Sequence, residues 1–190
     1  MSRRRCTTRT VLLLATLLLG ARVEAQTAVD EAQVKAAFVY NFLKFVEWPA
    51  DTLRGPQDAF VVLIIGDGAT AEATERFLDA KLIGERPLLV RRIKWDQSLD
   101  GVEAVFVAER DEKKRRRVLD AASAAGALTI GEGEEFATRG GVIALLIENR
   151  KVRFDIDTVA ANAAGLRVSS KLLALTRVVH STTSRSGARP

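Results

Sequence analysis

The chain has 190 residues, 47% of them hydrophobic, with 29 basic and 24 acidic side chains and a net charge of +5. That length provides one core of ordinary size and hardly two. Residues 1–25 hold five of the arginines and one of the acids, so the remainder carries 24 basic and 23 acidic groups, a net of +1, and lacks the field that nucleic acid calls for.

The amino terminus reads as an export signal. Arg3, Arg4 and Arg5 precede an apolar run from Val11 to Leu19, and Val23-Glu24-Ala25 follows with small residues that suit signal peptidase, so cleavage is expected after Ala25. The run is about ten residues, whereas a bilayer requires roughly twenty. Arg22 follows it closely and no cysteine stands just beyond it, so neither a retained anchor nor a lipid-modified terminus is expected. Cys6 is the only cysteine. Once the signal is gone, disulfides, thiol catalysis and cysteine metal sites are excluded, and a packed core must supply the stability.

In the mature chain, Val34, Phe38, Phe45 and Trp48 recur at helical spacing before Pro49, predicting one amphipathic helix over residues 30–48. Residues 60–65 are continuously apolar and β-branched, as in a central strand covered on both faces. An Ala- and Glu-rich helix is expected over 71–82, then strands over 88–93 and 104–107. A helix over 111–125, stopped by Gly126, leads to a strand over 127–130. After a helical turn at 134–138 and the pair Gly140-Gly141, residues 142–147 and 152–156 flank Glu148-Asn149-Arg150-Lys151, a hairpin signal. Asp157 can cap a helix to Ala164 ended by Gly165, and Ser169 can cap a last helix through Val179. The fold class is therefore α/β: a three-layer sandwich with a mostly parallel central sheet, helices on both faces and an antiparallel carboxyl-terminal hairpin at one edge. The domain limits read 1–25 for the signal peptide, 26–180 for the α/β domain and 181–190 for a small, polar, disordered tail.

Chemistry is thinly represented. Gly66-Asp67-Gly68-Ala69-Thr70-Ala71 follows a buried strand and opens a helix, fitting a G-x-G-x-x-A dinucleotide pattern, but the acid wanted soon after the next strand arrives only at Asp96. An ordinary tight turn is the plainer reading, and Gly66, Asp67 and Gly68 are retained as a candidate ligand crevice. His180 is the only histidine and no G-x-S-x-G elbow exists, so a serine relay has no basis. A histidine or thiolate metal site is impossible by count, and Asp155 and Asp157 do not form a calcium loop, so neither metal nor cofactor is expected. Lys113 to Arg117 are five consecutive positive charges, bracketed by Asp111, Glu112 and Asp120, and read as a solvated helix face with anionic headgroups as the alternative.

The first helix is apolar on two sides. Val34, Phe38, Asn41, Phe45 and Trp48 fall on one stripe, and Val39, Leu43 and Val46 lie opposite. Two readings stay open: a two-sided core helix with Asn41 tying down a loop carbonyl, or a partner or dimer surface built on Val39, Leu43, Val46 and Trp48.

Three stretches together resemble the YfiR family of periplasmic regulators. They are Lys35-Ala-Ala-Phe-Val-Tyr-Asn-Phe-Leu-Lys-Phe-Val-Glu-Trp-Pro49, then Phe136-Ala-Thr-Arg-Gly-Gly-Val-Ile-Ala144, and Val152-Arg-Phe-Asp-Ile-Asp157 running on to Ala164-Gly-Leu-Arg-Val-Ser-Ser-Lys-Leu-Leu173. Gly84-Glu-Arg-Pro-Leu-Leu-Val-Arg-Arg92 and Leu128-Thr-Ile-Gly131 fit between them, so the likeness runs over roughly residues 31–179. The resemblance singles out Phe38, Asn41, Phe42, Phe45, Gly140, Gly141, Phe154, Ser169, Ser170 and Lys171 as motif positions. It implies an α/β sandwich, often dimeric, that represses an inner-membrane diguanylate cyclase through the periplasmic sensory domain of that enzyme, with an outer-membrane lipoprotein as a further partner. Cyclic di-GMP and biofilm formation would be the outputs. It implies no catalytic residue and no cofactor, and the disulfides of the best-known member have no counterpart here. A periplasmic small-ligand-binding protein acting with a transport or signalling receptor is the other reading.

Overall fold

The computed structural model describes residues 31–49 and 58–181. The expected signal peptide, and the expected tail from residue 182 onward, lie outside the described residues. Helix α1 (31–45) runs into a short strand β1 (Val46–Glu47). There follow β2 (Phe60–Ile65), α2 (Ala69–Leu78), β3 (Leu82–Ile83), β4 (Arg86–Ile93), β5 (Ala104–Val107), α3 (Glu112–Ala124), β6 (Leu128–Glu132), α4 (Glu135–Thr138), β7 (Ile143–Glu148), β8 (Lys151–Asp157), α5 (Thr158–Ala163), β9 (Arg167–Val168), α6 (Ser170–Leu173) and β10 (Val178–His180). The main sheet has eight strands in the order β10-β8-β7-β6-β5-β2-β4-β3, and β1 pairs with β9 in a separate ribbon. All neighbours in the main sheet are parallel except β7 with β8 and β3 with β4.

Strand alternation builds two cores. Val62, Ile64, Ala104, Phe106, Leu128, Ile130, Ile143 and Leu145 point to one face, where α1, α2, α5 and α6 deliver Val39, Phe42, Leu43, Leu78, Ala161 and Leu172. Leu63, Ile65, Val105, Val107 and Ala144 point to the other, under Val118, Leu119 and Ala122 of α3 and Phe136 of α4. The continuous apolar run of β2 is thus required by cover on both sides. Asp111 starts α3 by accepting the amide of Lys114 at 3.0 Å, a bond that holds its carboxyl below the usual range. Asp157 caps α5, its carboxylate accepting the amides of Val159 and Ala160. The hairpin closes through Asn149 and Arg150, both left-handed at φ 51° and 59°, which is the pattern of a two-residue type I′ turn.

Several expected boundaries are corrected by pairing. The first helix does not reach residue 48. Val46 and Glu47 extend to pair with Val168 and Arg167, and the residue before Pro49 is itself disfavoured in helix. The second helix stops at Leu78, because Leu82 and Ile83 turn back along β4. The last helix ends at Leu173, not Val179: β-branched Thr176, Val178 and Val179 suit a strand, and β10 lies parallel to β8. The hairpin is therefore not at the sheet edge, which β10 occupies.

A buried acid fixes β10. Asp155 is 1% exposed and receives both arms of Arg177, Nε at 2.9 Å and Nη2 at 2.5 Å. Arg177 also reaches Glu134 at 2.9 Å, and the bond to Asp155 raises its pKa. The amide of Arg177 and the hydroxyl of Thr176 both donate to the carbonyl of Phe154. The Arg177→Leu variant strands the Asp155 carboxylate and should cost about 2–4 kcal/mol in urea unfolding. The double variant Asp155→Asn/Arg177→Leu should lose less than that, a coupling absent if the pair were incidental.

Two glycines enclose one ring. A Cβ at Gly131 or at Gly141 would overlap the ring of buried Phe136, one from each side, so the ring cannot step away from either. Gly141→Ala should lower stability by about 1–3 kcal/mol. Adding Phe136→Leu to it should recover part of that loss in thermal unfolding; a larger loss in the double variant would contradict this account.

Candidate functional site

Of the two readings of α1, the one that places a partner surface on Val39, Leu43 and Val46 is overturned by their burial. Val39, Leu43 and Val46 are 0%, 1% and 5% exposed and belong to the core, so they offer no partner surface. Trp48 is half-buried, stacked edge-on to Phe60 at 5.0 Å, and donates its indole N–H to the carbonyl of Glu103 at 3.0 Å. Lys35 and Trp48 are bonded to the sheet side through Glu132 and Glu103, so the row Val39, Phe42, Leu43 and Val46 faces the sheet, and Phe42 meets Phe154 at 5.0 Å.

The opposite row is what solvent sees. Val34 is 46% exposed and Phe45 36%, Asn41 is exposed, and Phe38 is half-buried against Phe42 and Phe154, both at 6.0 Å. Asn41 thus faces solvent rather than tying down a buried loop. The amide of Ser169 donates to the carbonyl of Phe45, and the β1–β9 ribbon joins the same two segments. That places Ser169, which caps α6 through Leu172, together with exposed Ser170 and Lys171, beside the carboxyl-terminal end of α1. Leu175, Val178 and Val179 are also exposed, and Thr176 and Arg177 between them are bonded to Phe154, the residue beneath Phe38. Of the motif positions, Phe42, Gly141 and Phe154 serve the interior and Gly140 turns the chain at φ 102°. Asn41, Phe45, Ser170 and Lys171 stand on the surface.

A second feature opens at the carboxyl ends of the strands. From β2 the chain leaves to α2 on one face, and from neighbouring β5 it leaves to α3 on the other, so a crevice forms where the two part. Its volume is about 530 Å³, and Asp67, Gly68 and Thr70 line it together with Glu109, Arg110 and Glu132. Gly66 stands behind it. Its φ of 92° and the 2.6 Å that would separate a Cβ from the backbone of Ala108 and Glu109 explain the glycine as a close crossing of two loops.

Lys35 of α1 forms the wall of this crevice. It is 7% exposed and bonds Glu132 at 2.7 Å and Glu31 at 2.6 Å, while the Thr70 hydroxyl donates to the same Glu132 oxygen at 3.0 Å. Desolvation lowers the Lys35 pKa, but the hydrogen bonds and charges of the two carboxylates outweigh it and the net direction is upward. Sequence reasoning passed over Lys35, although a lysine on the row of Val39 and Phe42 was a signal that a carboxylate had to meet it. Among the described residues there is no group of three or more histidine, cysteine and acidic side chains fit to hold a metal ion, and no helix long and apolar enough to cross a membrane.

Among solved structures, a conserved domain protein from Vibrio cholerae superposes with a TM-score of 0.53 at 11% identity, covering 76% of this chain and 60% of that one. The ABC domain in complex with L-Trp from Streptococcus pneumonia gives a TM-score of 0.47 at 10% identity, covering 63% of this chain and 55% of that one. The chain thus spans three fifths or less of either structure, and the first likeness speaks for the fold alone. No curated protein matches the chain. The model of the YfiR/HmsC-like family matches residues 32–177, which contain α1, the glycine pair, the hairpin and the Ser169 cap, and the chain belongs to that family.

Proposed function

We propose that the protein is a periplasmic regulator that binds and represses the sensory domain of an inner-membrane diguanylate cyclase, and so controls cyclic di-GMP and biofilm formation. Membership in the YfiR/HmsC-like family supports a periplasmic regulator of a diguanylate cyclase in general terms, and a regulator rather than a catalyst. The observation that carries the specific reading is the apolar row Val34, Phe38 and Phe45, left open on a helix whose other side is already in the core. Exposed apolar rows flanked by polar groups mark association surfaces. A signal peptide cleaved after Ala25 delivers the protein to that compartment. A homodimer and an outer-membrane lipoprotein are the further partners of this reading, the second as the agent that relieves repression.

Deleting the gene in a strain with its cyclase intact should raise cyclic di-GMP and biofilm, and unchanged levels would overturn the reading. Complementation with Phe45→Glu or Val34→Asp should fail to restore repression although both variants fold, since both positions lie outside the core. By contrast, a reversal at Lys151 on the hairpin should complement fully. Hot-spot aromatics at interfaces typically contribute about 2 kcal/mol or more, so a loss of at least about tenfold in affinity for the sensory domain is expected for Phe45→Glu.

The crevice favours a second reading, a small-ligand receptor whose ligand is bound near Asp67 and Gly68 and passed on to a transport or signalling receptor. Nucleotides, amino acids and siderophores are the compounds to screen by thermal shift. A true ligand at about a hundred times its Kd should stabilise by about 2.7 kcal/mol, and Asp67→Ala should remove that shift. A screen in which none of these compounds moves the melting temperature would dispose of this reading without touching the first.

A further inference from the structure

We propose that the outer side of α3, with the loop after β4, is a docking surface for an anionic phospholipid bilayer. On the helix Lys113, Lys114, Arg116 and Arg117 spread over the arc turned away from the buried row Val118, Leu119 and Ala122, whereas Arg115 lies on the side of that row and lines the crevice. Arg139, which follows α4, joins them across a shallow groove of about 860 Å³.

The acids nearby are engaged within the fold. Asp111 caps α3, Asp120 binds Arg116 at 3.1 Å, and Glu112 and Glu135 both bind Arg139. Lys113 is exposed and makes no ion pair within 4.0 Å among the described residues, with only the field of the capping Asp111 near it. Lys114 and Arg117 instead lie over the ring of half-buried Trp95, at 5.8 and 5.6 Å. A fan of lysine and arginine around an indole is the chemistry that meets phosphate headgroups at an interface. An acidic protein partner would be better served by convergent, bidentate arginines.

The place of α3 in the sandwich agrees with this use. It packs on the second core, on the opposite face of the sheet from α1. A protein lying on a membrane by α3 keeps the row Val34, Phe38 and Phe45 turned away from the lipid and open to a protein.

The test uses the processed protein, purified from the periplasm, and sedimentation with vesicles. Phosphatidylcholine vesicles containing about a third phosphatidylglycerol should bind it at low ionic strength, pure phosphatidylcholine should not, and salt near 0.5 M should release it. The Lys113→Glu/Arg117→Glu variant should bind at least about tenfold more weakly at an unchanged melting temperature, and Lys151→Glu should change binding by less than about twofold. Equal binding to neutral vesicles, or undiminished binding by the double variant, overturns the proposal. So does a result in which inorganic tripolyphosphate raises the melting temperature of the native protein, and not of the double variant, while anionic vesicles fail to bind; the groove then serves a free anion. None of these readouts depends on cyclic di-GMP, so this surface and the regulatory reading stand or fall apart.

Discussion

Everything distinctive in this molecule depends on how one helix is fastened to one face of a sheet. At its start α1 is held by Lys35, buried between Glu31 and Glu132 at the carboxyl end of β6. Beyond its end Trp48 donates to the carbonyl of Glu103, the residue just before β5, and the Glu103 carboxylate in turn accepts the amide of Val61 and meets buried Arg86. The two fastenings sit at opposite ends of the parallel strands, and together they fix the rotation of the helix about its own axis. Once that rotation is set, Val39, Phe42, Leu43 and Val46 must face the sheet and Val34, Asn41 and Phe45 must face away. The surface is therefore a consequence of a buried lysine and a tryptophan, neither of which belongs to it.

Buried charge of this kind stabilises only when every member is satisfied. Lys35 has two carboxylates, and Glu132 is further bonded by Thr70. Asp155 is engaged on both oxygens by Arg177. Both clusters also join parts of the chain that are far apart in sequence: α1 to β6 and α2, and β8 to the last strand. They act as registration marks, since a slip of any of these elements would leave a charge in the core without its partner.

Much of the architecture was legible because it follows from period and end signals. The unbroken apolar run of β2 called for cover on both faces, Asp157 and Ser169 capped the helices expected of them, and the polar pair between two β-branched runs made the hairpin. What escaped were elements created by pairing rather than by local preference. Two-residue strands such as β1, β3 and β9 carry no period, and residues 174–180 keep a helix-compatible spacing until Asp155 draws Arg177 onto the sheet edge. The same limit governed the site. The helical wheel established that α1 has two apolar sides, but the wheel alone does not say which one a sheet will take. Lys35 held that information, because a lysine can enter a core only where carboxylates wait for it, and in this chain Glu132 is the acid that arrives from the sheet.

The chemistry that is missing bears on how such a protein could change state. Between residues 31 and 181 there is no cysteine and only one histidine, His180 on the edge strand β10, so neither thiol exchange nor a cluster of titrating imidazoles is available to the body of the fold. The fastening of α1 is equally unresponsive on its basic side. With its pKa raised above 10.5, Lys35 contributes stability that is fully present at lower pH and is lost only as pH climbs through the raised value, far above neutrality. A helix held this way has little reason to shift on its own. What remains free to vary is what lies against it, and an open row containing Val34 and Phe45 gains most by being covered. The physical economy of the fold therefore agrees with the proposed control by association, in which a partner covers this face or leaves it open.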